Sequence, residues 1–196
     1  MNKIKIHYID LSKLDLEIIN HLPLLSKEDY NDNYEHEVDH NAHLISLYLK
    51  KKYMPNYTIT KFGKPVSDNI KANISHTANM VIIGLSEKYD IGVDIELKDL
   101  DDKELINFTL NDEEKEHYKA NKSFIELWTA KESLLKCMGM LLPLEPKNLQ
   151  ALPVDGTFNF MDSTYTRHKI KFNDYTISVT LKTDEDFECE LIEEKL

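Results

Sequence analysis

The amino-acid sequence predicts an α+β fold built on antiparallel sheet. Two stretches have the residue spacing of amphipathic helices, and short strand-like runs precede, separate and follow them. Apolar residues make up 41% of the 196 residues, which suits a globular protein with one sizeable domain or two small halves that share a core. No repeat or low-complexity tract interrupts the pattern, so the sequence offers no basis for a solenoid or a flexible linker.

The predicted strands lie at both ends and in the middle of the chain. Apolar and polar residues alternate from Ile4 to Ile9, which predicts an N-terminal strand. Two apolar runs, Met80 to Leu85 and Ile91 to Ile95, flank the polar turn Ser86 to Asp90, and this pattern predicts a β-hairpin. Alternation returns after Leu149. It is cleanest at Tyr175, Ile177, Val179 and Leu181, and then at Phe187, Cys189 and Leu191.

Two long helices are predicted from apolar spacing and from the residues that begin and end helices. The first runs from about Asn33 to Tyr53 and is ended by Pro55. The second is the strongly helical stretch Ser123 to Met140. Between them, Asn111 is followed three residues later by Glu114, the spacing of a capping box at the start of a shorter helix.

The balance of charge and the cysteine content restrict the partners and the compartment. Acidic residues outnumber basic ones 35 to 24, so the field of the whole protein repels phosphate backbones and anionic membranes, and we expect neither nucleic acid nor a membrane as a partner. Cys137 and Cys189 lie far apart and do not make a disulfide scaffold. Charged residues interrupt any signal-peptide core in residues 1–20, and no apolar run reaches membrane-spanning length. These observations favour a cytoplasmic protein.

Two acidic residues share one face of the strand predicted at Ile91 to Glu96. Strand alternation places Gly92, Asp94 and Glu96 on the face opposite the apolar residues. Residues two apart on a strand are about 6.5 Å apart at Cα, so their carboxylates can converge on one hard cation such as Mg²⁺. Taken alone, such a pair is more typical of a solvated strand face. A metal site therefore needs a third ligand.

The second long helix carries a lysine on its apolar side. The core-facing stripe consists of Phe124, Leu127, Leu134, Leu135, Met138 and Leu142. Lys131 falls in the middle of this stripe, so its ammonium must reach an anion or water, because an unpaired buried charge is costly. Glu132 and Lys136 are one turn apart on a flank of the helix and could face a shared cleft. By itself this pair is typical of a surface salt bridge of about 0.3–0.5 kcal/mol.

Five ordered blocks of sequence together indicate a family. They are Phe62–Pro65, Asn73–Thr77, Ile91–Glu96, Phe108–Thr109 and Trp128–Lys136. In order and spacing, from about residue 62 to residue 144, the chain resembles the Sfp-type branch of the 4'-phosphopantetheinyl transferase superfamily. The third and fifth blocks are the specific ones as a pair, because a strand with two alternate acids is followed some thirty-five residues later by a helix with the Trp-Thr-x-Lys-Glu-Ser-x-x-Lys pattern.

The resemblance implies a fold, a set of ligands and a role for each matching residue. The fold is a pseudo-twofold α+β structure of two similar halves, 1–88 and 89–196, each with antiparallel sheet and a long helix, and coenzyme A and Mg²⁺ or Mn²⁺ bind between them. The matching metal ligands are Asp94, Glu96 and Glu132. Lys131 and Lys136 match lysines that face the coenzyme A phosphates, and Lys64, Ser75 and His76 match residues that hold its nucleotide end. The family also has a glutamate after Phe108–Thr109, for which Asp112, Glu113 and Glu114 are all candidates.

The reaction implied is transfer of 4'-phosphopantetheine from coenzyme A to a serine of an apo acyl or peptidyl carrier protein, with release of 3',5'-ADP. The divalent ion would act as a Lewis acid, and Lys136 or Lys131 would stabilise the leaving phosphate. Glu132 is the candidate base for the serine proton. The pathway of the carrier protein stays open. Because both halves lie in one chain, we expect a monomer.

One departure from the family keeps an alternative function open. The family supplies arginines or lysines to coenzyme A from the first long helix, but residues 35–46 contain neither. His40 and His43, or Lys50 to Lys52, are the possible substitutes. A protein that keeps the fold and binds coenzyme A or a carrier protein without catalysis is therefore the second hypothesis.

A third hypothesis comes from a different class of enzyme. His36, Glu37 and His40 form a literal His-Glu-x-x-His sequence, which on a helix provides two zinc ligands and a base for a metalloprotease. The flanking residues lack the apolar periodicity of a buried active-site helix, and the continuation to a glycine and a third histidine is absent. A solvated polar helix face is the more typical interpretation.

Overall fold

The computed structural model describes residues 2–30, 34–97, 102–140 and 145–196, and it confirms the α+β class. The strands are β1 (Asn2–Asp10), β2 (Thr58–Ile59), β3 (Pro65–Val66), β4 (Lys71–Thr77), β5 (Met80–Ser86), β6 (Ile91–Leu97), β7 (Gly156–Phe160), β8 (Ser163–Phe172), β9 (Tyr175–Leu181) and β10 (Phe187–Glu193). The helices are α1 (Leu16–Ile19), α2 (Glu37–Tyr53), α3 (Lys103–Thr109), α4 (Asp112–Asn121) and α5 (Phe124–Met138).

Two four-stranded sheets form the framework. The first has the strand order β10-β1-β5-β4 and the second the order β6-β9-β8-β7, while β2 and β3 form a separate two-stranded ribbon. Within each sheet, three strands repeat one arrangement, because the third along the chain lies between the first and the second (β1-β5-β4 and β6-β9-β8). These strands pair antiparallel, as predicted. The exception is β10, which pairs parallel to β1.

The strand topology agrees only in part with the predicted division of the chain into two halves. The predicted boundary between 1–88 and 89–196 falls in the turn between β5 and β6, where the chain leaves one sheet for the other. The last strand, β10, nevertheless lies in the sheet of the first half. The division of the chain and the twofold relation between its halves stay predictions.

The predicted hairpin of Met80–Leu85 with Ile91–Ile95 is wrong. β5 pairs with β1 and β4 on its two sides, and β6 pairs with β9 in the other sheet. Every residue of β5 is buried, as expected of a central strand. β6 packs against the face of β5: a Cβ added to Gly84 would lie 2.5 Å from the Val93 Cγ1 atom. The turn between the two apolar runs therefore joins two layers rather than two neighbours in one sheet.

Two apolar cores and one close helix–sheet contact hold the sheets and long helices together. α2 covers one face of the first sheet, where Leu44, Ile45 and Leu49 pack with Val81 and Ile83 of β5. The other face packs against the second sheet; this inter-sheet cluster contains Ile4, Ile6, Ile82, Val93, Ile95, Ile177 and Val179. α5 contacts the opposite face of β6 and β9. The predicted faces of β6 are confirmed, since its isoleucines and valine point to the inter-sheet core.

The helix boundaries follow the predicted signals closely. α5 begins after the N-cap Ser123 and ends at Gly139, which takes the left-handed conformation with φ of 69°. The capping box of Asn111 and Glu114 is present at the start of α4. α2 starts at Glu37, four residues later than predicted. Leu142, part of the predicted α5 stripe, lies outside the described residues.

Within the described ranges, none of the helices combines the length and apolar character that crossing a membrane requires.

Candidate active site

The site begins with a close contact between β6 and α5. A Cβ built on Gly92 would lie 2.0 Å from the Ser133 carbonyl oxygen and 2.3 Å from the Cys137 backbone nitrogen. These distances are too short for any side chain, so glycine alone lets the helix rest on the strand. Glu132 and Lys136 each directly precede one of these contact residues, and the close contact therefore brings their side chains to the acidic face of β6.

Lys136 and Asp94 form an ion pair in the centre of the site. The Lys136 Nζ lies 2.6 Å from Asp94 Oδ1, and it also donates to the Ser75 Oγ at 2.9 Å. Ser75 donates in turn to the same Asp94 oxygen at 2.8 Å. The Asp94 side chain is only 5% exposed. Its second oxygen, Oδ2, is buried and has no hydrogen-bond partner among the described residues. A buried carboxylate oxygen in this state favours a cation.

Glu96 and Glu132 complete the acidic group. Burial raises the pKa of Glu96, and the Asp94 charge adds to that effect, while a hydrogen bond from Thr77 and the Lys136 charge oppose it. Burial also raises the pKa of Glu132, with further contributions from Asp94 and Glu96 and opposition from Lys136. Glu96 and Glu132 thus both lie within electrostatic range of Asp94 and Lys136. The role of these residues as metal ligands and as catalytic groups stays a prediction.

The residues present fit a hard divalent cation by their chemistry. Three carboxylates supply the oxygen ligands that Mg²⁺ and Mn²⁺ prefer, and the buried Asp94 Oδ2 has no hydrogen-bond partner among the described residues. In the parts of the chain that the structure describes, however, no three His, Cys, Asp or Glu side chains are arranged so as to hold a metal ion. Here Lys136 is the cation in contact with Asp94.

His76 connects the acidic group with the start of α2. Loss of hydration lowers the pKa of His76. The charges of Lys136 and His43 lower it further, while those of Asp39 and Asp94 raise it. Tyr34 packs its ring near His40 and His43, with centroid distances of 5.6 and 5.1 Å. His76 thus lies within electrostatic range of both Lys136 and the α2 residues Asp39 and His43, whereas Ser75 contacts Asp94 and Lys136. Their role at the nucleotide end stays a prediction.

Lys131 lies apart from this group, which corrects its predicted role. Its Nζ contacts Glu114 Oε2 at 2.7 Å and donates to the carbonyl oxygens of Pro146 and Leu149 at 2.9 and 2.7 Å. An ammonium has three donors, so none is left for a coenzyme A phosphate. Burial lowers the pKa of Lys131, and Glu114 opposes the shift. The expectation that a lysine in the apolar stripe needs an anion is confirmed, but the anion is Glu114.

Lys64 occupies the C-terminal end of α5. Its Nζ donates to the Cys137 carbonyl oxygen at 2.9 Å and lies 3.5 Å from the Ile91 carbonyl oxygen. Burial lowers its pKa. A cation at this position complements the unpaired carbonyls and the negative end of the helix dipole. Among the described residues, Lys64 forms no hydrogen bond with Ser75 or His76, so its role at the nucleotide end stays a prediction.

Sequence reasoning left one supporting group undecided and missed two others. Glu114 was one of three open candidates, and its burial and its bond to the Ala151 N–H at 3.0 Å now distinguish it. The two missed groups are Arg167 and Thr77. Arg167, the only arginine, is fully buried and donates to the carbonyls of residues 150, 151 and 153. Thr77 donates to Glu96 at 2.8 Å. Of these two, only Thr77 had a signal in the sequence, because polar residues alternate along β4.

The zinc hypothesis has no support in the structure. His36 is the N-cap of α2, with extended backbone and an exposed side chain. Its carbonyl oxygen accepts the first helical hydrogen bond, from the His40 N–H at 3.2 Å. The described residues include no zinc-binding group of three side chains.

Comparison with known proteins agrees with the specific motifs of this site. The family model described as the 4'-phosphopantetheinyl transferase superfamily matches residues 90–185, a range that contains β6 and α5. The protein named 4'-phosphopantetheinyl transferase gsp from Aneurinibacillus migulanus is 31% identical over 155 residues, which cover 68% of this chain and 65% of that relative. The match thus spans slightly less than two thirds of the relative's length. The chain belongs to the 4'-phosphopantetheinyl transferase superfamily.

Proposed function

We propose that this protein is an Sfp-type transferase that moves 4'-phosphopantetheine from coenzyme A to a serine of an apo acyl or peptidyl carrier protein. The observation that carries the proposal is the group formed by Lys136 and three carboxylates where α5 meets β6. A protein without phosphoryl chemistry has no evident need for a buried carboxylate oxygen that lacks a partner beside a lysine and two further acids. Membership of the superfamily supports the same conclusion.

Asp94, Glu96 and Glu132 would hold Mg²⁺ or Mn²⁺. When bound, the ion would neutralise charge on the pyrophosphate oxygens as a Lewis acid. The ion would also offset the mutual repulsion that, after burial, raises the pKa values of Glu96 and Glu132. The site is therefore more stable with a cation than without one.

The reaction forms one bond and breaks one. The carrier serine Oγ attacks the phosphorus on the pantetheine side of the pyrophosphate, and the bond from that phosphorus to the oxygen shared with the adenosine phosphate breaks. The serine proton passes to a base, and the electron pair leaves with 3',5'-ADP. Glu132 is the proposed base, because burial raises its pKa and so makes it a better proton acceptor. Lys136 is placed to stabilise the charge on the leaving phosphate.

The nucleotide end of coenzyme A would lie at His76 and the start of α2. His43 and His76 are close enough to affect each other's charge, and they are the proposed substitutes for the basic residues that residues 35–46 lack. Two of the three lysines at the end of α2 are engaged elsewhere, since Lys51 pairs with Asp29 at 2.5 Å and Lys52 pairs with Glu194. The third, Lys50, lies with its Nζ 6.0 Å from the centroid of the Tyr57 ring. These lysines are about ten residues, or about 15 Å, along the helix from His40.

The experiment that tests the proposal is intact-mass spectrometry of a panel of apo carrier proteins after incubation with this protein, coenzyme A and Mg²⁺. We expect one carrier class to gain one phosphopantetheine. The gain should disappear with chelator or with Asp94→Asn, and it should persist with Asp68→Asn, a matched change at an exposed acid. Coenzyme A binding without transfer to any carrier would favour the non-catalytic binder instead.

The remaining expectations belong to the same proposal. We propose that the protein acts in the cytoplasm as a monomer on coenzyme A and a carrier protein. Sedimentation of the pure protein, alone and with apo carrier, measures both the subunit number and the complex. A dimer would contradict the expectation that one chain holds the whole site.

A further inference from the structure

The two sheets meet along a seam between β4 and β6 that side chains hold together. In the described residues, β4 forms its backbone ladder only with β5, and β6 only with β9. Across the seam, the Asn73 side-chain oxygen accepts from the Val93 N–H at 2.9 Å. Two residues further along β4, Ser75 donates to Asp94 at 2.8 Å, and two residues beyond that, Thr77 donates to Glu96 at 2.8 Å.

The spacing of these bonds follows from strand geometry. Alternate residues of a strand point to the same side, so the polar side chains of Asn73, Ser75 and Thr77 form one row facing β6. The amide of Asn73 fixes the register of the two strands, and that register places one hydroxyl opposite each predicted metal ligand. Each hydroxyl engages one oxygen of its carboxylate, Oδ1 of Asp94 and Oε2 of Glu96. The other oxygen of Asp94, Oδ2, has no hydrogen-bond partner among the described residues.

We infer that Thr77 is a positioning residue that orients the Glu96 carboxylate for a divalent ion. The inference rests on the proposed function for the identity of the ion. Thr77 differs from Ser75, whose Asp94 partner is also held by Lys136. Glu96 has no lysine at contact distance among the described residues, and the donor that holds it there is the neutral Thr77 hydroxyl.

A neutral donor suits this position for a physical reason. A hydroxyl that donates to one carboxylate oxygen restricts rotation of the group without cancelling its charge, whereas a lysine would compete with the metal ion. Loss of such an outer-shell donor commonly costs about 10–100-fold in metal affinity. Thr77→Val keeps the shape of the side chain and removes the hydroxyl. Thr77→Ser keeps the hydroxyl and removes a methyl group.

The test is calorimetric titration of the full-length protein with Mn²⁺ in the absence of coenzyme A and carrier. We expect Thr77→Val to raise the Mn²⁺ Kd about tenfold and Thr77→Ser to restore it to within about twofold of wild type. Thr164→Val is the matched control, because Thr164 also donates to a side-chain oxygen, that of Asn159 at 2.8 Å, on an exposed hairpin. It should leave the Kd unchanged.

The Tm of each variant, measured by thermal unfolding without metal, shows whether Thr77 orients Glu96 or only stabilises the fold. A Thr77→Val protein with lowered Tm but wild-type Mn²⁺ affinity would overturn the inference, as would a Thr77→Ser protein as weak as Thr77→Val. In carrier assays, the variant should need more Mn²⁺ for half-maximal rate and keep most of its kcat at saturating Mn²⁺. If wild type modifies no carrier but the Kd pattern holds, the proposed function fails and the inference about Thr77 stands.

Discussion

Lys131 and Glu114 form an ion pair 2.7 Å long in which the two side chains are only 1% and 2% exposed. Removing one partner of a buried pair leaves an uncompensated charge and costs about 3–5 kcal/mol. We therefore expect Lys131→Met to lower the free energy of unfolding by about that amount, as measured by urea denaturation. Lys119→Met is the control, because its pair with Glu116 is exposed, and it should cost less than about 0.5 kcal/mol.

The same variant decides between the two roles considered for Lys131. Since its Nζ already contacts Glu114 and two backbone carbonyls, folded Lys131→Met protein should bind coenzyme A nearly as well as wild type. If the Lys131→Met protein has wild-type stability but has lost coenzyme A affinity, Lys131 contacts the coenzyme A phosphates as the sequence predicted.

Gly92 should tolerate no side chain. A Cβ there would meet backbone atoms of α5 at 2.0 and 2.3 Å, which cannot move aside as a flexible side chain can. We expect Gly92→Ala to cost about 3 kcal/mol or more, above the usual range of about 1–3 kcal/mol for overpacking, and to abolish metal binding by lifting α5 from β6. Gly63→Ala provides the contrast: with φ of 79° and open space around it, it should cost only about 1 kcal/mol of strain. Equal costs, measured by urea denaturation, would contradict this account.

Lys136 should stabilise the metal-free protein through Asp94. Its removal leaves Asp94 buried beside two other acids, so Lys136→Met should lower the free energy of unfolding by about 2–3 kcal/mol without metal. Saturating Mg²⁺ should recover part of that loss, because the ion supplies the missing positive charge. Lys171→Met, which breaks the pair of an exposed lysine with the partly buried Glu126 outside the acidic group, should show no recovery. If Mg²⁺ restored nothing to Lys136→Met, a cation site beside Asp94 would be untenable.

Glu194 should make stability depend on acid pH. Burial alone would raise the pKa of the Glu194 carboxyl, but hydrogen bonds from Lys52, Tyr53 and His7 hold it below its ordinary value of 4.5. A lowered pKa means that the folded state releases the proton more readily than the unfolded state. Its stabilisation is therefore complete above pH 4.5 and is lost as the pH falls through the folded-state pKa.

The measurement compares wild type with Glu194→Gln by urea denaturation at several pH values. The variant should be less stable by about 1–2 kcal/mol at pH 7, the worth of hydrogen bonds to a charged group. The difference should shrink steadily below pH 4.5. A difference that did not change with pH would mean that the glutamate acts through packing rather than charge.

The local features of the chain were predictable because they depend on neighbours in sequence. Alternation assigned Asp94 and Glu96 to the face away from the core, and cap residues placed the ends of α5. The partner of Lys131 was not predictable to the same degree, because Glu114 and the carbonyls that complete its shell come from other segments. The predicted hairpin of β5 with β6 was wrong for a related reason. An apolar run has the same sequence pattern whether the next strand pairs with it in one sheet or packs on it from another sheet.

The parallel pairing of β10 with β1 has a consequence for how the chain is made. Asn2 is the register partner of Phe187, so β1 can complete its pairing only with a strand made 185 positions later. Until then, one side of β1 is an open ladder of hydrogen-bonding groups that can recruit another nascent chain. The first sheet is therefore completed only after the strands β6 to β9 of the second sheet have been made, and this edge is where a holdase chaperone would be most useful.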